Sequence, residues 1–191
     1  MNGVILPYQG RTPRIAGDVF VAHGAVIVGD VEIGRQSSIW FNCVLRGDLN
    51  VIRVGARTNI QDGTVVHIDS REFSTTIGDD VTIGHMALIH ACTLEDGCFV
   101  GMGATVMDGA VVEAGAMVAA GALVTPGKRV PSGELWGGRP ARRMRALTDR
   151  DTTLFAEIVD GYVRLAANYA SWLPGGAAAR AAPGAHARCN T

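Results

Sequence analysis

The sequence predicts an all-β solenoid of short stacked parallel strands, closed by one C-terminal α-helix. Three observations carry that prediction. Aliphatic residues recur at every sixth position through most of the chain. Of 191 residues 25 are Gly while only 6% are aromatic, and that many glycines without low complexity means tight corners at regular places. After Thr148 the apolar spacing changes from six to a helical one.

The solenoid begins with Ile15, Val21, Ile27, Ile33, Ile39 and Leu45, and continues through Val54, Ile60 and Val66, then Ile77, Ile83 and Ile89. After Leu94 the series resumes with Val100, Val106, Val112, Val118, Val124 and Val130. A small residue or Val commonly sits four places on, as at Cys43, Thr58, Thr64, Val81, Ala87 and Ala104. No helix shows a period of six on one face, and an amphipathic strand alternates in twos. Six-residue units joined by Gly- or Asn-bearing corners do satisfy it. Each unit makes one flat side of a prism, three close a triangular coil, and the next coil stacks on it by backbone hydrogen bonds.

The helix follows. Thr148 caps it, Asp149 and Asp151 suit its first turn, and Leu154, Ile158, Tyr162, Leu165, Tyr169 and Trp172 form its predicted apolar stripe, ending near Pro174. That face needs the prism wall or a neighbouring subunit to cover it. The predicted division is a β-helix over 1–141, a linker and helix over 142–174, and a loose Ala/Gly-rich tail over 175–191.

Composition narrows the function. With 17 Lys+Arg against 18 Asp+Glu there is no basic surplus, which argues against nucleic acid or an anionic membrane as partner and for a small or neutral ligand. No stretch approaches the roughly 20 apolar residues that span a bilayer. Met1 to Gly10 lacks a basic start and a long apolar run, so the expected location is cytoplasmic. Cys43, Cys92, Cys98 and Cys189 form neither a disulfide framework nor a CxxC pair; Cys43 and Cys98 occupy inward positions and read as small core residues.

Of five histidines, three fall in the repeat within one coil's length. His67 follows Val66 and His90 follows Ile89, both at the second position of their units, whereas His85 is at the third. If Val66 stacks beneath Ile89, with the extra residues of 67–76 looped out, His67 and His90 stack about 4.8 Å apart and converge outward on one metal. His85 lies around a corner and needs another chain. The same register puts Asp62 under His85 and Arg46 under His67. One edge meeting the other edge of a neighbour is a heterologous contact that closes as a trimer, with metals at its interfaces. Three imidazoles and an open position are the pattern of catalytic zinc. His23, two coils below His85, reads as a solvated side chain, and His186 falls in the tail.

The aliphatic, any, any, any, small, any pattern resembles the hexapeptide-repeat family over about Ile15 to Ala141, including the Trp136-Gly137-Gly138-Arg139-Pro140-Ala141 exit, and this resemblance implies a left-handed parallel β-helix. The strings Arg46-Gly47-Asp48, Asn59-Ile60-Gln61-Asp62-Gly63, His67, Gly84-His85 and Ile89-His90 resemble the gamma-class carbonic anhydrases. The resemblance implies a homotrimer holding zinc, or iron or cobalt, by His67 and His90 of one chain and His85 of the next. It implies a lyase in which zinc-bound hydroxide attacks CO2 and bicarbonate leaves. Arg46 and Asp48 match a pair that braces the interface; Asp48 could pair with Arg46, or Asp62 could do so across subunits. Gln61 matches a residue that hydrogen-bonds the metal-bound water. Asn59 matches one that orients CO2 or bicarbonate, although Asn at a coil corner is also a natural left-handed residue. Tyr169 resembles a helix Tyr that approaches the metal in relatives, and equally suits a packed helix face.

Two positions depart from the most active family pattern. Leu49 stands where an acidic residue is expected after Asp48, and Ser70 where the proton-shuttle Glu would be, although Asp69 and Glu72 lie on that loop. Other functions compatible with the repeat are an acyltransferase or thioesterase acting on a CoA ester, and a non-catalytic metal-stabilised trimeric scaffold.

Overall fold

Each six-residue unit builds one side of a prism because its aliphatic residue turns inward while the corner bends the chain by about a third of a turn. In the computed structural model, which describes residues 3–69 and 72–172, the chain forms a left-handed parallel β-helix of about 7 turns with a C-terminal helix, α1, Asp149–Trp172. Ser70, Pro174, the tail over 175–191, His186 and Cys189 lie outside the described residues.

The prism has three walls. The first carries the strands Val65–His67, Leu88–His90, Thr105–Val106 and Leu123–Val124, and the second Thr75–Ile77, Thr93–Leu94, Val111–Val112 and Arg129–Val130. Two long strands, Val26–Ile33 and Val44–Val54, run around the corner between these walls and join them into one 12-stranded sheet. The third wall is a separate 8-stranded sheet containing Phe20–Val21, Ser38–Ile39, Asn59–Ile60, Thr82–Ile83, Phe99–Val100 and Met117–Val118. The expected stacking holds: Val54 pairs with Ile77, Ile60 with Ile83 and Val66 with Ile89. Ile27, Ile39, Leu45, Ile60, Ile83 and Ile89 are fully buried along the axis. A buried Ile or Leu contributes roughly 1.5–3 kcal/mol over its exposed state, so the ladder of such residues is the main source of stability.

The corners use more than Gly and Asn. Gln36, Asn42, Arg57, Asp80, Met86 and Ala91 all adopt positive φ, while the later coils place Gly at the equivalent positions. The chain leaves the prism through Glu134–Gly138 and returns antiparallel as Ala141–Ala146. It then enters α1 through Thr148, whose backbone N–H and hydroxyl both donate to Asp151 at 2.7 Å.

Helix α1 packs on the third wall, but not by the whole expected stripe. Phe155, Val159 and Ala166 are buried with Tyr162 and Tyr169 partly so, whereas Leu154, Leu165 and Trp172 are exposed. The buried set has the same 3.6-residue periodicity turned toward the wall, where Phe155 stacks on Phe99 at 4.9 Å. Tyr162 and Tyr169 close on Trp40 at 5.3 Å each. Arg57 ties the helix down by donating to Asp160 at 2.8 Å.

Candidate metal centre

The second position of a unit lies just past the inward aliphatic residue, so its side chain points out at the end of a wall. His67 and His90 occupy that position in strands that pair in parallel with His67 directly opposite His90. Their rings are 5.3 Å apart between centroids, and Nδ1 of His67 lies 3.3 Å from Nε2 of His90.

The outer nitrogens define the tautomers. His67 Nε2 faces Asp48 Oδ1 at 3.3 Å, and His90 Nδ1 faces Asp108 Oδ1 at 2.8 Å. An ionised carboxylate only accepts, so each outer nitrogen is the N–H and each inner nitrogen carries a lone pair. Two lone pairs facing each other at this distance repel unless a cation lies between them. Two nitrogens bound at about 2.0–2.1 Å to a tetrahedral zinc stand about 3.3 Å apart. The pair therefore fits two corners of such an ion.

Arg46 and Asp48 sit on the same edge one coil below. Gly47 between them allows it, because a Cβ there would lie 2.7 Å from the backbone oxygen of Asp30. Of the two pairings open from sequence, Asp48 makes the one within the chain, accepting from Arg46 as well as from His67. Burial alone would raise the Asp48 carboxyl, but the hydrogen bonds from Arg46 and His67 outweigh it and hold it below the usual carboxylate range. Burial, and then the charge of Arg46, push the His67 imidazole below its ordinary value against the pull of Asp48. A His held neutral in this way is a ready ligand.

His85 stands at the corner between the third and first walls, on a different edge. Its Nδ1 is 2.7 Å from Asp62 Oδ2, which leaves Nε2 with the lone pair. The backbone N–H of Met86 donates to Asp62 O at 2.8 Å, so the two corners stack as expected. Asp62 also accepts from the Phe41 N–H at 3.2 Å. Among the described residues no three His, Cys, Asp or Glu side chains of the one chain converge as a metal site.

Gln61 and Asn59 lie beside the His85 edge, nearly buried on the third wall. Asn59 is in a strand and not in a left-handed corner. Its Nδ2 donates to Thr82 Oγ1 at 2.9 Å and its Oδ1 accepts from Gln61 Nε2 at 3.0 Å. Tyr169 is part of an aromatic cluster with Phe20, Trp40 and Phe41, on a different wall from His67 and His90. Tyr162 joins the same cluster on Trp40, and its phenol is raised by burial and further by Asp62.

Sequence reasoning misses Asp108 as a residue of the site. Strict stacking puts Met107, not Asp108, over His90; Asp108 comes level with His90 because the corner from Ile89 to Leu94 is one residue shorter than the corner from Val106 to Val112 stacked on it, so that Gly109 sits on Ala91. His23 is exposed. Cys43, Cys92 and Cys98 are buried, and burial pushes the thiols of Cys43 and Cys92 up to about 12, as befits core residues and not nucleophiles.

Fold and repeat together define a hexapeptide-repeat β-helix protein. The family model described as hexapeptide repeat of succinyl-transferase matches residues 74–107 and 91–126. The chain is 54% identical over 166 residues to gamma carbonic anhydrase 2, mitochondrial, of Arabidopsis thaliana, covering 84% of this chain and 60% of that protein. It thus spans about 60% of the length of that plant relative. It is 51% identical over 158 residues to the probable carbonic anhydrase of Methanocaldococcus jannaschii, covering 83% of this chain and 99% of that one. Among solved structures, a hexapeptide transferase family protein from Anaplasma phagocytophilum superposes with a TM-score of 0.84 at 49% identity, covering 88% of this chain and 99% of that chain. The chain belongs to the gamma-class carbonic anhydrase family.

Proposed function

We propose that the chain is a lyase of the carbonic anhydrase kind, which hydrates CO2 reversibly to bicarbonate at divalent metal ions shared between subunits of a homotrimer. The observation that carries this reading is Nδ1 of His67 facing Nε2 of His90 across 3.3 Å, each ring held from behind by a carboxylate. His67 and His90 would hold the ion with His85 of the adjacent subunit, through the nitrogen that Asp62 leaves free of its proton. Zinc suits three imidazoles, and iron or cobalt suits them too. The ion supplies Lewis acidity, lowering the pKa of a bound water to about 7 so that a nucleophile exists near neutrality.

The chain's own groups do the rest. Gln61, its Nε2 occupied by Asn59, presents Oε1 as an acceptor for a water proton without adding charge. In this reading Asn59 acts through Gln61, fixing the amide's orientation. Asp48 and Asp62 orient His67 and His85, and Arg46 neutralises Asp48 while keeping further N–H donors for bicarbonate. Tyr169 packs on Phe41, whose backbone holds the Asp62–Gly63 corner. With Leu49 exposed where relatives of the most active pattern carry an acid, proton export falls to the loop bearing Asp69 and Glu72, and turnover is slow.

The trimer is supported by the wall between the two histidine edges. Its outward residues are apolar, with Val65 and Leu88 each 37% exposed and Met86 beside His85 71% exposed. A strip of that kind marks an interaction surface, and a contact joining unlike edges closes as a ring.

An acyltransferase reading has in its favour the likeness to the Anaplasma hexapeptide transferase family protein, but a single general base does not need a second histidine stacked on it. The test is metal content and CO2 hydration by stopped flow, on anaerobically purified protein loaded separately with zinc and iron. The expected result is one ion per chain in wild type, most of it lost in His85→Ala. Retention of metal by that variant would refute the shared site. A metal-replete trimer with no rate above buffer in either form would leave the scaffold or thioesterase role instead.

A further inference from the structure

We propose that Asp108 is a positioning residue of the metal centre, the carboxylate that sets the tautomer and direction of His90. This rests on the reading of His67 and His90 as ligands. Three observations carry it. Asp108 Oδ1 lies 2.8 Å from His90 Nδ1, the nitrogen turned away from His67. Neutral imidazole has one N–H, so a carboxylate there places the proton on Nδ1 and the lone pair on Nε2, which faces His67 at 3.3 Å. The corner that carries Asp108 is itself held: the Gly109 N–H donates to Ala91 O, and the Gly127 N–H donates to Asp108 O, both at 2.8 Å.

The loop that leaves the prism after His67 adds a fourth. Its Phe73 lies against Gly109, where a Cβ would meet the ring at 3.1 Å. The residues following one histidine thus cover the corner that orients the other. Asp108 supplies for His90 what Asp48 supplies for His67 and Asp62 for His85. Each ring thereby has its own carboxylate. An outer carboxylate fixes ring orientation and strengthens the ligating nitrogen, and its loss typically costs 10–100-fold in metal affinity.

The experiment compares wild type, Asp108→Ala and Asp108→Asn, in the full chain, by two readouts. The first is cobalt(II) and zinc(II) affinity by competition with a chelator. The second, on metal-free protein, is the His90 tautomer from long-range proton–nitrogen correlation spectra of the imidazoles. Wild type is expected to show His90 protonated at Nδ1. Asp108→Ala is expected to mix the tautomers and bind metal 10–100-fold more weakly. Asp108→Asn keeps an acceptor oxygen and is expected to restore the tautomer with an intermediate affinity, a rescue that a purely structural role does not produce. Asp108→Ala with the wild-type tautomer and affinity within twofold would overturn the proposal, as would a wild-type His90 protonated at Nε2. The tautomer readout needs no metal, so it decides the role of Asp108 even if loss of His85 shows the shared site to be wrong. Unchanged metal in His67→Ala refutes the site itself, a separate outcome.

Discussion

Met86 and Ala91 follow His85 and His90 directly, and both adopt the left-handed backbone that an L side chain tolerates poorly, with φ of 60° and 49°. Each such residue costs roughly 1–2 kcal/mol. Gln36, Asn42, Arg57 and Asp80 carry the same conformation, so the cost is shared by the early corners and is not confined to the two beside the histidines. Most later corners relieve it with Gly, and Gly109 adds a packing demand. Gly103 and Gly109 have nearly the same φ, 63° and 65°, but only Gly109 has a neighbour, Phe73, within 4 Å of a built Cβ. Gly103→Ala is therefore expected to lower stability by the backbone term alone, about 1–2 kcal/mol, read as a lower melting temperature. Gly109→Ala loses that and the displacement of Phe73 as well. Equal losses in thermal melts of the two variants would show that Phe73 moves aside freely. At this scale register alone picked out the three histidines, Arg46 and Asp62, and the family resemblance added Asp48. Asp108 escaped that reading because the unit from Ile89 to Leu94 breaks the period of six by one residue, which shifts the corner above His90 out of strict stacking.

For α1, Thr148, Asp149 and Asp151 were legible as a helix start because capping is local chemistry, whereas the buried face was only half legible. Two overlapping stripes share the helical period, and the sequence does not say which one meets the wall; Phe155, Val159 and Ala166 win because Phe99 and the Trp40 cluster are there to receive them. The start of the helix carries a pH dependence. The Arg145 guanidinium, and then Thr148, hold the Asp151 carboxyl well below the usual range. A carboxyl depressed in the folded state contributes stability that is complete above its unfolded pKa of about 3.9 and is lost as pH falls through its lower folded value. Wild type should therefore lose a part of its stability on acidification below about pH 4 that Asp151→Asn does not lose, the variant being less stable at neutrality instead. Circular dichroism melts at neutral and acid pH measure the difference. Parallel pH profiles for the two proteins would remove Asp151 from the account.

The three walls of the whole molecule differ in what they present. The second is faced by ion pairs such as Arg14–Glu32, Arg53–Asp30 and Arg129–Glu113, which suit water. The third is covered by α1. The first, between the two histidine edges, is apolar and uncovered in the single chain, with Val65 and Leu88 pointing outward. Leu88→Glu puts a charge on that wall without disturbing the inward Ile89 ladder. If the proposed trimer forms through this wall, the variant is expected to dissociate it in sedimentation velocity and to lose the metal bound there, while circular dichroism keeps the β-helix signal. A variant that stays trimeric and metal-bound would place the subunit contact elsewhere.

The sequence by itself determined the coil register, and with it that His67 stacks on His90 while His85 falls around a corner. A period of six admits one way of stacking, and a slip of one residue would turn every buried aliphatic residue out to solvent. Tertiary structure alone decided which face of α1 is buried, that Asp48 pairs with Arg46 and His67, and that Asp108 stands behind His90. These contacts depend on side-chain direction and on backbone turns at single residues, which a repeat does not encode.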